Sequence, residues 1–140
     1  SELQAEAKED LIILDDEDLH QQSYKNQIIK PKWLDYKSKY RMLTFQLKAD
    51  HRRLYREKWE YYGGKATNKI YIAKPFDIKV LKTDLGVYIS SDDDIIDIEL
   101  KIEYYETLVQ FIEGVIKSID NRSWDIKHAQ DWKKFLAGSF

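Results

Sequence analysis

The sequence predicts a mainly α fold: a long basic helix, a small irregular or β element, and a C-terminal helical hairpin that assembles into a homo-oligomer. Three observations carry that reading. Residues 33–62 contain neither Gly nor Pro. Ile95, Ile98, Ile102, Tyr105, Val109, Ile112, Ile116 and Ile119 are spaced alternately three and four apart without a miss. The 140-residue chain has the length of one ordinary domain, able to build its own core.

Taken in order, residues 3–29 read as weakly helical and acidic, with Leu3, Leu11, Ile12 and Leu14 as an apolar patch. Asp15, Asp16, Glu17 and Asp18 suit the start of a second helix, because carboxylates favour a helix N-terminus. Pro31 is expected to break that helix and to open the next. The helix over 33–62 would span about 45 Å. On a helical wheel Tyr36, Tyr40, Leu43, Leu47, Leu54 and Tyr61 fall together as a packed seam. Lys37, Arg41, Lys48, Arg52 and Arg56 form another stripe, and Phe45, Tyr55 and Trp59 lie within it. Gly63 and Gly64 end the helix. Residues 70–73 and 76–81 have strand-like composition and suggest a small hairpin or extended arm. Thr83 suits the cap of a short helix through Ile89.

Asp92, Asp93 and Asp94 cap a helix expected to run to about residue 119. Its heptad seam is mostly β-branched, a pattern that favours assemblies larger than dimers. A second stripe, Leu100, Tyr104, Leu108, Phe111 and Val115, makes the helix apolar over more than half its girth. Such a helix is buried on two sides, the second against another subunit. Asn121, Arg122 and Ser123 read as a turn, after which residues 124–136 fold back as the second arm of a hairpin, ended by Gly138. The expected organisation is a single domain over 1–140, with a part over 1–91 that holds the long basic helix and an assembly part over 92–140.

Charge adds a functional constraint. The chain carries a formal net charge of only −2, but residues 1–29 carry −6, residues 30–82 carry +10 and residues 83–140 carry −6. Such segregation suggests an anionic partner for the middle third, or neutralisation between the thirds. Lys48, Arg52, Arg53, Arg56, Lys58 and Lys65 are threaded with Tyr55, Trp59, Tyr61 and Tyr62. Cations that neutralise phosphates and aromatic faces on which bases stack are the two ingredients of a single-strand binder. The competing reading is a solvated basic face whose aromatics pack on residues 66–90.

Catalysis has little support. His20, His51 and His128 are scattered, and none stands at metal-ligand spacing. His51 falls near the packed seam, where a hydrogen-bonded structural role is expected. Asp92, Asp93 and Asp94 resemble a metal cluster but stand where a helix begins, so capping explains them; no metal or cofactor is expected. Gly63, Gly64 and Lys65 lack the spacing of a phosphate loop. No cysteine is present, which excludes disulfides and suits a reducing compartment. The longest apolar run, residues 11–14, is far too short to cross a bilayer. A soluble, intracellular, non-enzymatic protein is expected.

A set of landmarks adds a family resemblance. Lys32-Trp33-Leu34 is followed by Arg56-Glu57-Lys58-Trp59-Glu60-Tyr61-Tyr62-Gly63-Gly64. Ser91-Asp92-Asp93-Asp94 then precedes the apolar helix, and Ile126-Lys127-His128-Ala129-Gln130-Asp131 leads to Phe135, Ala137 and Gly138. In this order, over roughly residues 32–138, the chain resembles the UvsY recombination mediators of T-even-type phages. The resemblance implies a non-enzymatic ring of about six or seven identical subunits. Such a ring binds single-stranded DNA and helps load a RecA-type recombinase onto strands covered by single-strand-binding protein, in the cytoplasm of an infected bacterial host. It places the DNA-contacting basic pair on Arg56 and Lys58 and assembly on the C-terminal segment. Glu57 stands where the family motif tends to hold a small residue, and Trp59 where an aliphatic is common. Arg56 and Lys58 lie about 200° apart on the wheel, so one strand reaches both only by wrapping or across neighbouring subunits. A helical oligomeric adaptor that binds an acidic protein partner is the alternative function.

Overall fold

In a computed structural model of the chain, residues 2–12 and 19–138 are described. They form α1 (Glu2–Leu11), α2 (Leu19–Tyr62), α3 (Asn68–Ala73), a 3₁₀ turn (Lys82–Asp84), α4 (Leu85–Ser90) and α5 (Asp93–Leu136). No strand occurs among the described residues. The helix start expected at Asp15 to Asp18 lies outside them. The chain divides into two compact units, one made of residues 1–40 and 108–140, the other of residues 41–107. This division is by packing. The division expected from the sequence, 1–91 for DNA binding and 92–140 for assembly, is one of expected function instead.

In the first unit, Ala7 of α1, Ile29 and Trp33 of α2, and Ile112, Val115 and Ile119 of α5 form the core. Trp33 is fully buried, yet its indole N–H is satisfied by donating to Asp10 at 2.9 Å. The same carboxylate holds the Lys32 ammonium at 2.7 Å, which also reaches Glu6 at 3.0 Å. Burial pushes the Asp10 carboxyl up, but the bonds from Lys32 and Trp33 outweigh it and hold it below its usual value. One tryptophan anchor and one lysine thus clasp α1 onto α2.

Two expectations fail in this unit. Pro31 does not break the helix: α2 runs through it. An interior proline costs about 3 kcal/mol. Here it stands on the exposed face, where water can reach the Gln27 carbonyl that loses its donor, while Ile29 and Trp33 on either side are buried. Burial of two large side chains, at roughly 1.5–3 kcal/mol each, offsets the proline. Nor is there a hairpin at Asn121 to Ser123, because α5 is one helix of 44 residues. Arg122 is 3% exposed, and its guanidinium donates to the Gln22 carbonyl at 3.1 Å and to the side-chain oxygens of Gln22 and Asn26. Asn26 in turn donates to Ser123 Oγ at 2.7 Å. Polar residues that read locally as a turn are partners for α2. Ile126, seven residues after Ile119, is buried as well, so the heptad continues through the expected break.

In the second unit, Leu85, Ile89 and Ile95 are the buried core, with Leu54, Tyr62 and Val80 packed on it. The rings of Tyr61, Tyr62, Phe76 and Tyr88 extend it, at centroid distances of 5.0–6.1 Å. The strand reading of 70–81 is also overturned. Residues 68–73 are α3 and residues 74–81 are irregular. The Tyr71 hydroxyl donates to the Tyr61 carbonyl at 2.7 Å and accepts from the Ala66 amide at 3.3 Å. That pins α3 against the end of α2, where no strand edge exists to pair with. The short helix expected near Thr83 is α4, entered through the 3₁₀ turn.

Candidate nucleic-acid interface

The basic stretch of α2 ends in a tight cap. The Lys65 amide bonds the Glu60 carbonyl at 2.8 Å and the Gly64 amide bonds the Tyr61 carbonyl at 3.3 Å. Gly64 has φ +75°, the left-handed conformation this cap requires. The cap fixes where the helix stops and turns Lys65 back toward Trp59, whose ring its ammonium covers at 4.4 Å.

The cations of this helix divide by partner. Arg53 and Arg56 are 73% and 77% exposed, with ion pairs to Asp50 at 3.2 Å and to Glu60 at 4.0 Å along their own helix. Arg41, Arg52 and Lys65 are exposed too. Lys48 is half-exposed and reaches Glu106 at 2.6 Å. Among them stand Phe45, Tyr55 and Trp59, all exposed. The aromatics interleaved with cations therefore stay at the surface, while Tyr36, Tyr40, Leu43, Leu47, Leu54 and Tyr61 are half-buried along the seam. Tyr55 and Trp59 are 42% and 37% exposed, so neither is a core residue. His51 has the structural hydrogen bond expected of it, with Glu99 at 3.2 Å.

Lys58 is different. Only 13% of its side chain is exposed, and its ammonium lies 2.7 Å from Asp94 and 3.3 Å from Asp92. Asp92 also accepts from the Tyr62 hydroxyl at 2.6 Å and caps α5 by accepting from the Asp94 amide at 2.9 Å. Capping is thus one of three tasks of this carboxylate. Burial works against both charges. The bonds from Tyr62, the Asp94 amide and Lys58 nevertheless hold the Asp92 carboxyl below its usual value, and the two aspartates raise the Lys58 ammonium above its own. Burial, reinforced by the bond to Asp92, pushes the Tyr62 phenol far up. Arg56 and Lys58, expected to act as a pair, therefore stand in opposite conditions: one open to solvent, one held by carboxylates.

Beside Lys58 lies a cavity of about 440 Å³, bounded by the end of α2, by α3 and its flanks, and by Asp92. Sequence reading missed it, since its walls come from three segments.

The seam residues assigned to assembly are placed within the chain's own packing. Ile112 and Ile119 are buried in the first unit and Ile95 in the second. Ile116 flanks the first core, and Ile98, Ile102, Tyr105 and Val109 are half-buried. Of the second stripe, Val115 is buried, Leu108 and Phe111 are half-buried, and Leu100 and Tyr104 are exposed. At the end of α5, Trp132, Phe135 and Leu136 are also more than half exposed. No group of three metal-ligating side chains occurs among the described residues, and no described helix is long and apolar enough to cross a membrane.

Two long helices, with an exposed file of arginines and aromatics near the end of one, define a helical protein with a cationic, aromatic-studded surface. Comparison with known proteins gives the family. A sequence model of UvsY, described as recombination, repair and ssDNA binding protein, matches residues 6–139, and the chain belongs to that family. It is 26% identical to the recombination protein uvsY of Enterobacteria phage T4 over 137 residues, 98% of this chain and 96% of that protein. Crystal structures of the bacteriophage T4 recombination mediator protein UvsY share the fold. One superposes with a TM-score of 0.84 at 25% identity, covering 97% of this chain and 96% of that one. Another gives 0.85 at 24% identity, covering 97% and 99%.

Proposed function

We propose that this chain is a single-stranded-DNA-binding recombination mediator that helps load a RecA-type recombinase onto strands covered by single-strand-binding protein. It acts without bond chemistry, as a homo-oligomeric ring, in the cytoplasm of an infected bacterial host. Family membership supports the class of role. The observation that carries the binding site is the exposure of Arg52, Arg53 and Arg56 together with Tyr55 and Trp59.

The arginines take successive phosphates and release counterions, and the aromatic faces take bases. Lys58 joins from the far side of the helix when a phosphate displaces Asp94, the more exposed of its two carboxylates. Arg41, Lys48 and Lys65 lengthen the track. Assembly rests on apolar surface that the single chain leaves open, at Leu100 and Tyr104 and at Trp132, Phe135 and Leu136. Joined subunits hold a strand at several points, which multiplies avidity by about 10²–10⁴. A strand so held leaves the single-strand-binding protein less to grip and is offered to the recombinase. The test is binding of a labelled single strand by the Arg52→Ala, Arg53→Ala, Arg56→Ala triple variant over a salt series. Weaker binding with a flatter salt slope is expected. A folded variant with unchanged affinity and slope would mean that the strand binds elsewhere.

A further inference from the structure

We propose that the cavity at the end of α2 receives one unstacked nucleobase carrying an exocyclic amine, cytosine foremost, from a strand held on the neighbouring arginines. This rests on the single-strand-binding reading above and adds a base preference to it. The cavity, at about 440 Å³, falls within the roughly 300–1,000 Å³ of small-molecule sites. Its apolar walls are Tyr61, Tyr62, Ala66 and Ile70. They are fixed in place: Tyr61 donates to the Lys74 carbonyl at 3.1 Å and Tyr62 donates to Asp92 at 2.6 Å. A flat apolar body therefore meets a preformed slot.

The polar groups decide which body. Glu57, Glu60 and Asp92 line the cavity against two cations, Lys58 and Lys74. The Lys58 ammonium is already held by Asp92 and Asp94. Asp94 is not part of the lining, so a phosphate that displaces it reaches Lys58 from outside the cavity; within the cavity, three carboxylates against two cations disfavour a phosphate. A neutral base with an amino group is not disfavoured, because a carboxylate accepts readily from the cytosine N4 amine. Thymine turns carbonyl oxygens toward the same carboxylates and offers a single ring N–H.

The approach is set by helical register. Arg53, Arg56, Glu57 and Glu60 are neighbours on one face of α2, three and four residues apart. The two arginines are exposed, and Glu60, which lines the cavity, lies 4.0 Å from Arg56. A phosphate on Arg56 thus puts its base one helical turn from the opening. Extrusion costs least from a single strand, whose bases are unpaired.

The experiment compares deoxycytidine and thymidine homopolymers of equal length, by anisotropy at one salt concentration, on the wild-type protein and on Ala66→Phe and Glu57→Ala. Ala66→Phe fills the slot and leaves every arginine in place. Glu57→Ala removes an acceptor from an exposed helical site, where Ala is well tolerated. Wild type should prefer the cytidine strand by about five-fold or more, the effect of roughly 1 kcal/mol of base discrimination. Ala66→Phe should bind both strands with the wild-type thymidine affinity, and Glu57→Ala should lose part of the preference. Equal wild-type affinity for the two strands would overturn the base pocket and leave strand binding standing. So would a preference that persists in folded Ala66→Phe or, if that variant does not fold, one that is undiminished in Glu57→Ala. Failure to bind either strand would overturn both readings.

Discussion

Removing the Asp92 carboxylate should destabilise the second unit far more than removing its neighbour Asp94. Asp92→Ala takes away the α5 cap, a loss of about 0.5–2 kcal/mol. It also leaves the part-buried Tyr62 hydroxyl without this acceptor, which costs roughly 1–3 kcal/mol. Lys58 keeps Asp94 but loses its more buried partner. The losses share one carboxylate and do not simply add, so the expected total is about 2–4 kcal/mol. Asp94→Ala removes a carboxylate that is 53% exposed, a change worth roughly 0–1 kcal/mol. Asp92→Asn separates the contributions, because asparagine still caps and still accepts from Tyr62 but carries no charge. Urea denaturation followed by circular dichroism measures the differences, and hydrogen exchange locates them. Equal destabilisation by Asp92→Ala and Asp94→Ala, within about 0.5 kcal/mol, would refute the idea that Asp92 holds three partners.

Three further outcomes are expected. The folded pKa of Asp92 lies below its usual value, so its pairing adds stability above about pH 4 that is lost as pH falls through the lowered value; the stabilities of wild type and Asp92→Asn should differ by a constant amount above about pH 4 and converge as pH falls below it, and a gap that does not narrow in acid would refute the pairing. Asp94→Asn should tighten single-strand binding and steepen the salt slope by up to about one unit, as Lys58 is released to a phosphate; weaker binding at an unchanged slope would show that Lys58 never reaches the strand. Replacing Trp132 and Phe135 together with Ala should reduce the sedimenting mass while preserving helicity, since both are more than half exposed in the single chain; full-size assemblies would place the subunit contacts elsewhere.

What was legible in the sequence was what local pattern encodes. The periodic seam of α5, the glycine end of α2 and the surface position of Tyr55 and Trp59 all follow from spacing, and the structure has them so. The failures came where a distant partner overrides local chemistry. Asn121, Arg122 and Ser123 make good turn residues until Gln22 and Asn26, nearly a hundred positions upstream, come to meet them. Pro31 ends a helix in isolation, but not one anchored by Trp33. Ile70 to Ala73 favour a strand by composition, but Tyr71 ties them to the end of α2. Of the candidate site, the arginines were readable because exposure is the default for a cation. Lys58 was not, since its carboxylates begin 34 residues later, at Asp92.

The buried Arg122 has a consequence for how α5 lies along α2 in the first unit. Ile112, Ile119 and Ile126 recur every seven residues and are nearly interchangeable, so an apolar seam alone would permit α5 to slide by a heptad. Such a slide would carry the guanidinium from Gln22 and Asn26 toward Ile29 and Trp33, stranding a cation in hydrocarbon. Several alignments thus compete on hydrophobic contact, and a single polar layer selects among them, as a lone buried asparagine does in a coiled coil. Arg122→Met should therefore yield a chain that stays helical but no longer populates one alignment.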